Sequence, residues 1–298
     1  LQGLRDYFLF SADAEVTIEA NPGTLTPEKL SIYRKYGINR ISIGLQSPNN
    51  KELAMLGRIH NYAQFLESFQ MARAAGFSNI NVDLMFAIPG QCYEGWIENL
   101  RMVAALGPEH ISAYSLIIEE GTPFSRKKLD LPDEDTEYRM YEDVAAVLKE
   151  YDYHQYEISN YAKAGYECRH NEGYWQRKDY LGLGLGAASL LGMERFSNTA
   201  DMQEYLKNSS APEKIRKNRE LLTREDEMAE FMFLGLRMTQ GVSKKEFQEY
   251  FGTAIENIYG EVLKKYKKQG LLLEESGRIF LSREGVHVSN AVMADFLL

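Results

Sequence analysis

Four polar residues carry the first chemical signal in this chain. Glu19, Gln46 and Asp83 close short apolar runs, Val16-Thr17-Ile18-Glu19, Ile41-Ser42-Ile43-Gly44-Leu45-Gln46 and Ile80-Asn81-Val82-Asp83. Arg58 stands in Gly57-Arg58-Ile59-His60-Asn61, just ahead of a predicted helix. Runs of this kind, each followed by a helix, are how a parallel βα array offers side chains to a ligand at its strand C-termini. Two carboxylates, an amide and a guanidinium suit a zwitterionic ligand that bears a ribose. Arginine pairs with a carboxylate as a fork, a carboxylate takes ribose hydroxyls or an ammonium, and glutamine serves either. Solvated strand-end residues would give the same pattern, and spacing alone leaves both readings open.

The elements that must position these residues follow a regular rhythm. Strands are predicted at about 15–19, 40–45, 79–86 and 111–118, with helices between them. Thr26-Pro27 has the form of an N-cap followed by proline at the first helical position, with Leu30 and Tyr33 turned inward. Phe65 and Phe69 share a face of the next helix, which stops at Gly76. Trp96, Leu100 and Val103 mark the helix after the third strand. A helix at 134–150 turns Tyr141, Val144, Ala145 and Leu148 inward, and a strand-like piece covers 154–159. Crossovers of this length predict parallel strands, though periodicity does not tell an open sheet from a barrel. Residues 160–200 read as irregular. Beyond residue 213 the pattern changes to helices at 224–238, 243–251 and 254–269, then short strands at 271–274 and 278–281. That is the order of a winged-helix-like module.

Bulk properties exclude several classes. The chain has 298 residues and a net charge of −9, which argues against a general nucleic-acid binder. Lys264, Lys265, Lys267 and Lys268 form a basic helix face, read here as solvated. No apolar run has membrane-spanning length, and the first residues lack a secretory pattern. Two widely separated cysteines, Cys92 and Cys168, fit a reducing cytoplasm. The 19 tyrosines are compatible with a deep pocket but equally with half-buried phenols.

Four ordered segments carry a family resemblance: Glu19-Ala20-Asn21-Pro22-Gly23, Gly37 to Ser47, Gly57-Arg58-Ile59-His60, and Val82 to Gly90. Together they resemble the radical S-adenosylmethionine (SAM) proteins related to oxygen-independent coproporphyrinogen III oxidase. The resemblance implies an α/β fold, a partial (β/α)6 barrel over residues 1–200, followed by the winged-helix-like domain at 213–298. It implies that Glu19 and Arg58 hold the methionyl end of SAM. Gln46 and Asp83 would contact its ribose side, and Ile117 would pack on the adenine. Gly182-Leu183-Gly184-Leu185-Gly186-Ala187-Ala188-Ser189 matches a glycine-rich turn near the ligand, with Ala188 a weaker contact. Arg169-His170-Asn171-Glu172-Gly173-Tyr174-Trp175 matches the HNxxYW pattern of the HemW subfamily, regarded as haem chaperones. On that likeness His170 would ligate haem iron, with Tyr174 and Trp175 against the macrocycle. The implied partners are haem or a porphyrin and a haem-acceptor protein, through which any peripheral membrane contact would come. His60 would have a supporting role, and His154 lies in a matched segment without an assigned one. Two alternatives stay open: the oxidase itself, which decarboxylates coproporphyrinogen III, and a cluster-free nucleotide-binding scaffold.

The sequence departs from the family in one respect. A radical SAM [4Fe-4S] cluster needs three closely spaced cysteines in a CxxxCxxC loop, and no such loop, nor the GGGTP-type turn, occurs here. Both are expected upstream of Leu1, so the chain is expected to be the C-terminal three-quarters of a longer protein. Its first strand is then expected to be a parallel edge with apolar side chains on both faces. No catalytic residue is expected within the chain as it stands.

Overall fold

Period-two alternation along four parallel strands splits the first sheet into an apolar and a polar face. The computed structural model describes residues 1–122 and 124–298, in two units, Leu1–Cys168 and Arg169–Leu298. In the first unit β1 (Thr17–Ala20), β2 (Arg40–Gln46), β3 (Ile80–Phe86) and β4 (His110–Ser115) run parallel in that order. Ile41, Ile43, Leu45, Ile80, Val82, Leu84, Phe86 and Ile111 point to one side, into the core. The crossover helices α1 (Pro27–Lys35), α2 (Tyr62–Ala74) and α3 (Tyr93–Ala104), with α4 (Glu134–Lys149), supply its other half through Leu30, Phe65, Trp96, Leu100 and Val144. Their starts are locally encoded. Thr26 accepts from Lys29 N ahead of Pro27, Asn61 and Gln64 form a reciprocal capping box, and Asp133 accepts from Thr136 N.

The sheet then changes direction. β5 (His154–Glu157) and β6 (Asn160–Ala162) form a hairpin, and β6 lies antiparallel beside β4, so the order is β1-β2-β3-β4-β6-β5. The α/β class and the parallel βα repeat are as expected: after α4 the chain enters β5 parallel to β4, and β6 alone runs the other way. The step from β5 to β6 is too short for a crossover and must reverse the chain. β1 is an edge, as expected, yet its burial alternates between exposed and half-buried instead of being apolar on both faces.

The second unit begins with α5 (Arg169–Trp175), so the stretch expected to be irregular contains a helix and much of a sheet. β7 (Ala188–Leu191), β8 (Glu194–Asn198) and β9 (Arg216–Leu221) form an antiparallel sheet. Next come α6 (Arg224–Gly235), β10 (Val242–Ser243), α7 (Lys244–Phe251), α8 (Ile255–Lys268), β11 (Leu272–Glu275) and β12 (Arg278–Leu281). The order β10-β12-β11 beside three helices is the anticipated winged-helix-like arrangement. The division at residues 168/169 falls earlier than the expected limits of 200 and 213, because α5 packs on α6. In the basic face, Lys265 pairs with Asp295 and Lys267 with Glu274, as for a solvated surface. No helix among the described residues is long and apolar enough to cross a membrane.

Trp96 has no exposed surface, stacks near Phe86 and donates its indole N–H to Met140 O at 2.9 Å. Trp96→Ala is expected to cost about 3–5 kcal/mol of stability, combining lost burial with a cavity. Urea denaturation of the variant against the parent chain measures it.

Candidate functional site

The polar face of the sheet is organised around Asn81. Register places Glu19 beside Ser42, Ser42 beside Asn81 and Asn81 beside His110, while Asp83 faces Ser112. Asn81 Nδ2 donates to Asp83 Oδ1 at 2.7 Å and to Ser42 Oγ at 2.8 Å, and Ser42 donates to Asp83 Oδ2 at 3.1 Å. Asn81 Oδ1 accepts from His110 Nδ1 at 2.6 Å and from Ser112 Oγ at 3.2 Å. His110 therefore carries its proton on Nδ1, and its Nε2 accepts from Tyr156 Oη at 2.8 Å. Tyr156 Oη in turn accepts from Cys168 N at 3.3 Å. Each donor in this chain meets an acceptor, and the line ends on the Asp83 carboxylate. Asp83 lies in the middle of β3 rather than at its C-terminus, because the strand continues to Phe86. Burial raises its pKa; the donors Asn81, Ser112 and Ser42 oppose that, and the charge of Glu19 adds to it.

Gln46, Arg58 and Tyr114 adjoin this carboxylate. Gln46 ends β2 after an irregularity in its pairing and takes a left-handed backbone, φ 72°. Its buried amide accepts from Tyr114 Oη at 2.9 Å. A side chain at Gly44 would crowd that amide, with an added Cβ 3.0 Å from Gln46 Nε2. Burial, then the Asp83 charge, pushes the Tyr114 phenol up to about 12, while the Arg58 charge opposes this and that of Glu19 adds to it. Glu19, Gln46, Arg58 and Asp83 thus come within electrostatic or hydrogen-bond reach of one phenol. Ile117 lies beyond the end of β4, not on the strand, and is 77% exposed, an apolar surface open to a ligand. Sequence reasoning missed Tyr114, Asn81 and His110; period-two spacing from Asp83 and Ser112 was the signal that would have found them. It also missed a buried carboxylate, Glu52, which accepts from Ser47 (2.5 Å), Gln91 and Asn99 (both 3.0 Å) and pins the chain just after Gln46.

The histidines divide by environment. His60 is buried with Nε2 3.1 Å from Leu45 O, and desolvation lowers its pKa, so it supports the loop. His154 pairs with Glu167 at 2.8 Å. His170 is exposed on α5, edge-on to Tyr174 with ring centroids 4.6 Å apart, and Tyr174 is edge-on to Tyr180 at 4.7 Å. Burial raises the Tyr174 phenol. Helical geometry turns Trp175 about 140° away from His170. Its ring lies 4.2 Å from the Arg237 guanidinium and borders a cleft with Phe233, Leu234, Met293 and Leu297. His170 and Tyr174 thus share a surface, and Trp175 serves a different one. Ala188 opens β7 in the second unit and is exposed. In the adjoining glycine turn, an added Cβ at Gly182 would meet Ala188 O at 2.2 Å, so this close approach requires glycine. Asn198 Nδ2 donates to Gly182 O and Gly184 O and fixes the turn.

Residues 3–103 match the radical SAM superfamily, and residues 222–288 match the HemN C-terminal domain. The heme chaperone HemW of Bacillus subtilis is 38% identical over 288 residues, covering 95% of this chain and 76% of that protein. The chain belongs to the HemW family of radical SAM proteins. HemW of Escherichia coli is 35% identical over 295 residues, again covering 95% of this chain and 76% of the relative. The structure of coproporphyrinogen III oxidase (HemN) from Escherichia coli superposes with a TM-score of 0.84 at 22% identity, covering 99% of this chain and 72% of that one, which establishes a shared fold. The superfamily implies SAM and a [4Fe-4S] cluster. The donor set around Tyr114 fits SAM. The cluster is not fitted by the residues present: Cys92 is exposed at the start of α3 and Cys168 is buried beside Glu15. The described residues contain no group of three or more His, Cys, Asp or Glu that could hold a metal ion.

Burial, reinforced by the charge of Arg40, holds His110 well below its usual pKa of 6.5. Below about pH 6.5 the unfolded chain takes up a proton that the fold excludes. The contribution of neutral His110 is therefore intact above that pH and lost below it, by up to about 1.4 kcal/mol per pH unit. His110→Gln is expected to lower stability at pH 7.5 but to flatten the decline between pH 6.5 and 5. Denaturant midpoints across that range give the comparison.

Proposed function

We propose that the chain binds SAM on the polar face of its parallel sheet and haem at His170, in the service of haem delivery. The observation that carries the haem reading is an exposed imidazole, edge-on to Tyr174, on a helix of the HNxxYW sequence. Similarity to proteins named heme chaperones gives it context. In this reading His170 would offer a ring nitrogen to the iron and Tyr174 an aromatic edge beside the macrocycle. Trp175 contributes by holding the helix, since its ring is committed to Arg237. The recipient is a haem-acceptor protein in the cytoplasm, a reducing compartment that suits a chain with only two, widely separated cysteines.

For SAM, Arg58 takes the carboxylate of the methionyl end and Glu19 its ammonium. Gln46 accepts from or donates to the ribose hydroxyls, Asp83 accepts from them, and Ile117 covers the adenine. SAM held on a cluster supplies reductive cleavage; the residues of this chain bind and orient it. The three thiolates that would hold such a cluster are not in this sequence, and its relatives are longer.

His170→Ala is expected to weaken haem binding and shift the Soret band; haem titration of the variant with unchanged spectrum and affinity would place the haem elsewhere. Asp83→Asn removes the charge-assisted acceptor for ribose hydroxyls and is expected to weaken SAM binding about ten-fold. Equilibrium dialysis with labelled SAM reads the loss, and equal binding by both proteins would refute the ribose contact. Anaerobic incubation with coproporphyrinogen, SAM and reductant distinguishes the chaperone from the oxidase: release of carbon dioxide would establish the latter.

A further inference from the structure

The helix that carries His170 ends in an unusual way. Arg177 N bonds Tyr174 O at 3.0 Å and Lys178 N bonds Gly173 O at 2.9 Å, the paired closing bonds of a Schellman turn. Such a turn needs a left-handed residue and is commonly closed by glycine. Here the residue is Arg177, at φ 52°. An arginine there takes a backbone that L-residues seldom adopt, so its side chain must be doing what glycine does not.

That side chain is buried, with 8% of its surface exposed. Its Nε meets Glu230 Oε2 at 2.6 Å, and its Nη1 meets Glu227 Oε1 at 3.0 Å. Glu227 and Glu230 lie three residues apart on α6, so they present one face, and both are buried to about the same degree as Arg177. Arg195 of β8 also pairs with Glu230, and Tyr250 Oη donates to Glu227. Arg177 and the two carboxylates are thus paired away from water, and Arg195 closes the set from its partly exposed side. A planar fork can span two glutamates in this way, and a lysine ammonium cannot. The second anchor of α5 is Trp175 against Arg237, which follows α6 directly. Both anchors lie near the C-terminus of α5 and hold it on α6. His170 and Tyr174 occupy the remaining surface.

We propose that Arg177 is a positioning residue for haem: its fork onto Glu227 and Glu230 sets the rotation of the His170 helix and so the direction of the imidazole. The inference rests on the haem reading given above. Arg177→Gly keeps the left-handed turn and removes the fork, Arg177→Lys keeps the charge without the fork, and Glu230→Gln keeps the shape with one charge lost.

Haem titration of the purified chain reads affinity and Soret position, and NMR of the haem-free chain reads the His170 ring environment. Loss of a group that orients a metal ligand costs about 10–100-fold in affinity. Arg177→Gly is expected to fall in that range, to shift the Soret band and to move the His170 ring signals. Arg177→Lys is expected to recover part of the affinity. Should Arg177→Gly not fold, Glu230→Gln and Arg177→Lys decide by the same readouts. Folded variants with parental affinity, Soret band and ring signals would overturn the inference and leave the fork a stability element alone. If His170→Ala binds haem as the parent does, the haem reading fails, and the inference falls with it.

Discussion

A carboxylate turned toward the polar face of a parallel sheet has to be met by donors, and in this protein the amide of Asn81 meets it. Its two N–H groups go to Asp83 and Ser42, and its oxygen takes His110 and Ser112. One residue thereby couples three neighbouring strands. Were it apolar, Asp83 would lose a donor and His110 its acceptor, each inside a region where an unpaired polar group is costly. Burying an imidazole completely is tolerable because both of its nitrogens are engaged and it stays neutral. The polar face is thus held rigid before any ligand arrives, which lowers the entropy that binding must overcome.

The second unit solves a similar problem with full charges. Arg177, Arg195, Glu227 and Glu230 balance one another, and each carboxylate receives more than one donor. Buried ion pairs of this kind add little net stability but are costly to break on one side. Their value lies in defining a single orientation, here that of α5 against α6. Aromatic packing does the rest of the work in this unit: Phe231, Phe247, Phe251 and Tyr259 meet edge to face in its core.

Family membership and residue chemistry converge on the sheet but separate at the metal. Two carboxylates, an amide and a guanidinium gather around Tyr114, while two distant cysteines cannot form a three-thiolate set. HemN shares the fold at low identity, so the reaction of one protein is not carried to the other by architecture.

Much was legible in the sequence because it is local. The cap at Thr26, the apolar spacing of Phe65 and Phe69, and the strands read at about 40–45 and 79–86 all follow from contacts within a few residues. The family, and Glu19, Gln46, Arg58 and Asp83 as a group, were readable from ordered motifs. Other features were settled only in three dimensions. The reversal at β5 and β6, the separation of Trp175 from His170, the Asn81–His110 line and the fork of Arg177 onto α6 join residues far apart in the chain. Propensity and periodicity encode which way a side chain points along its own element. They carry no information on which distant side chain will be there to meet it, because that depends on packing the whole unit at once.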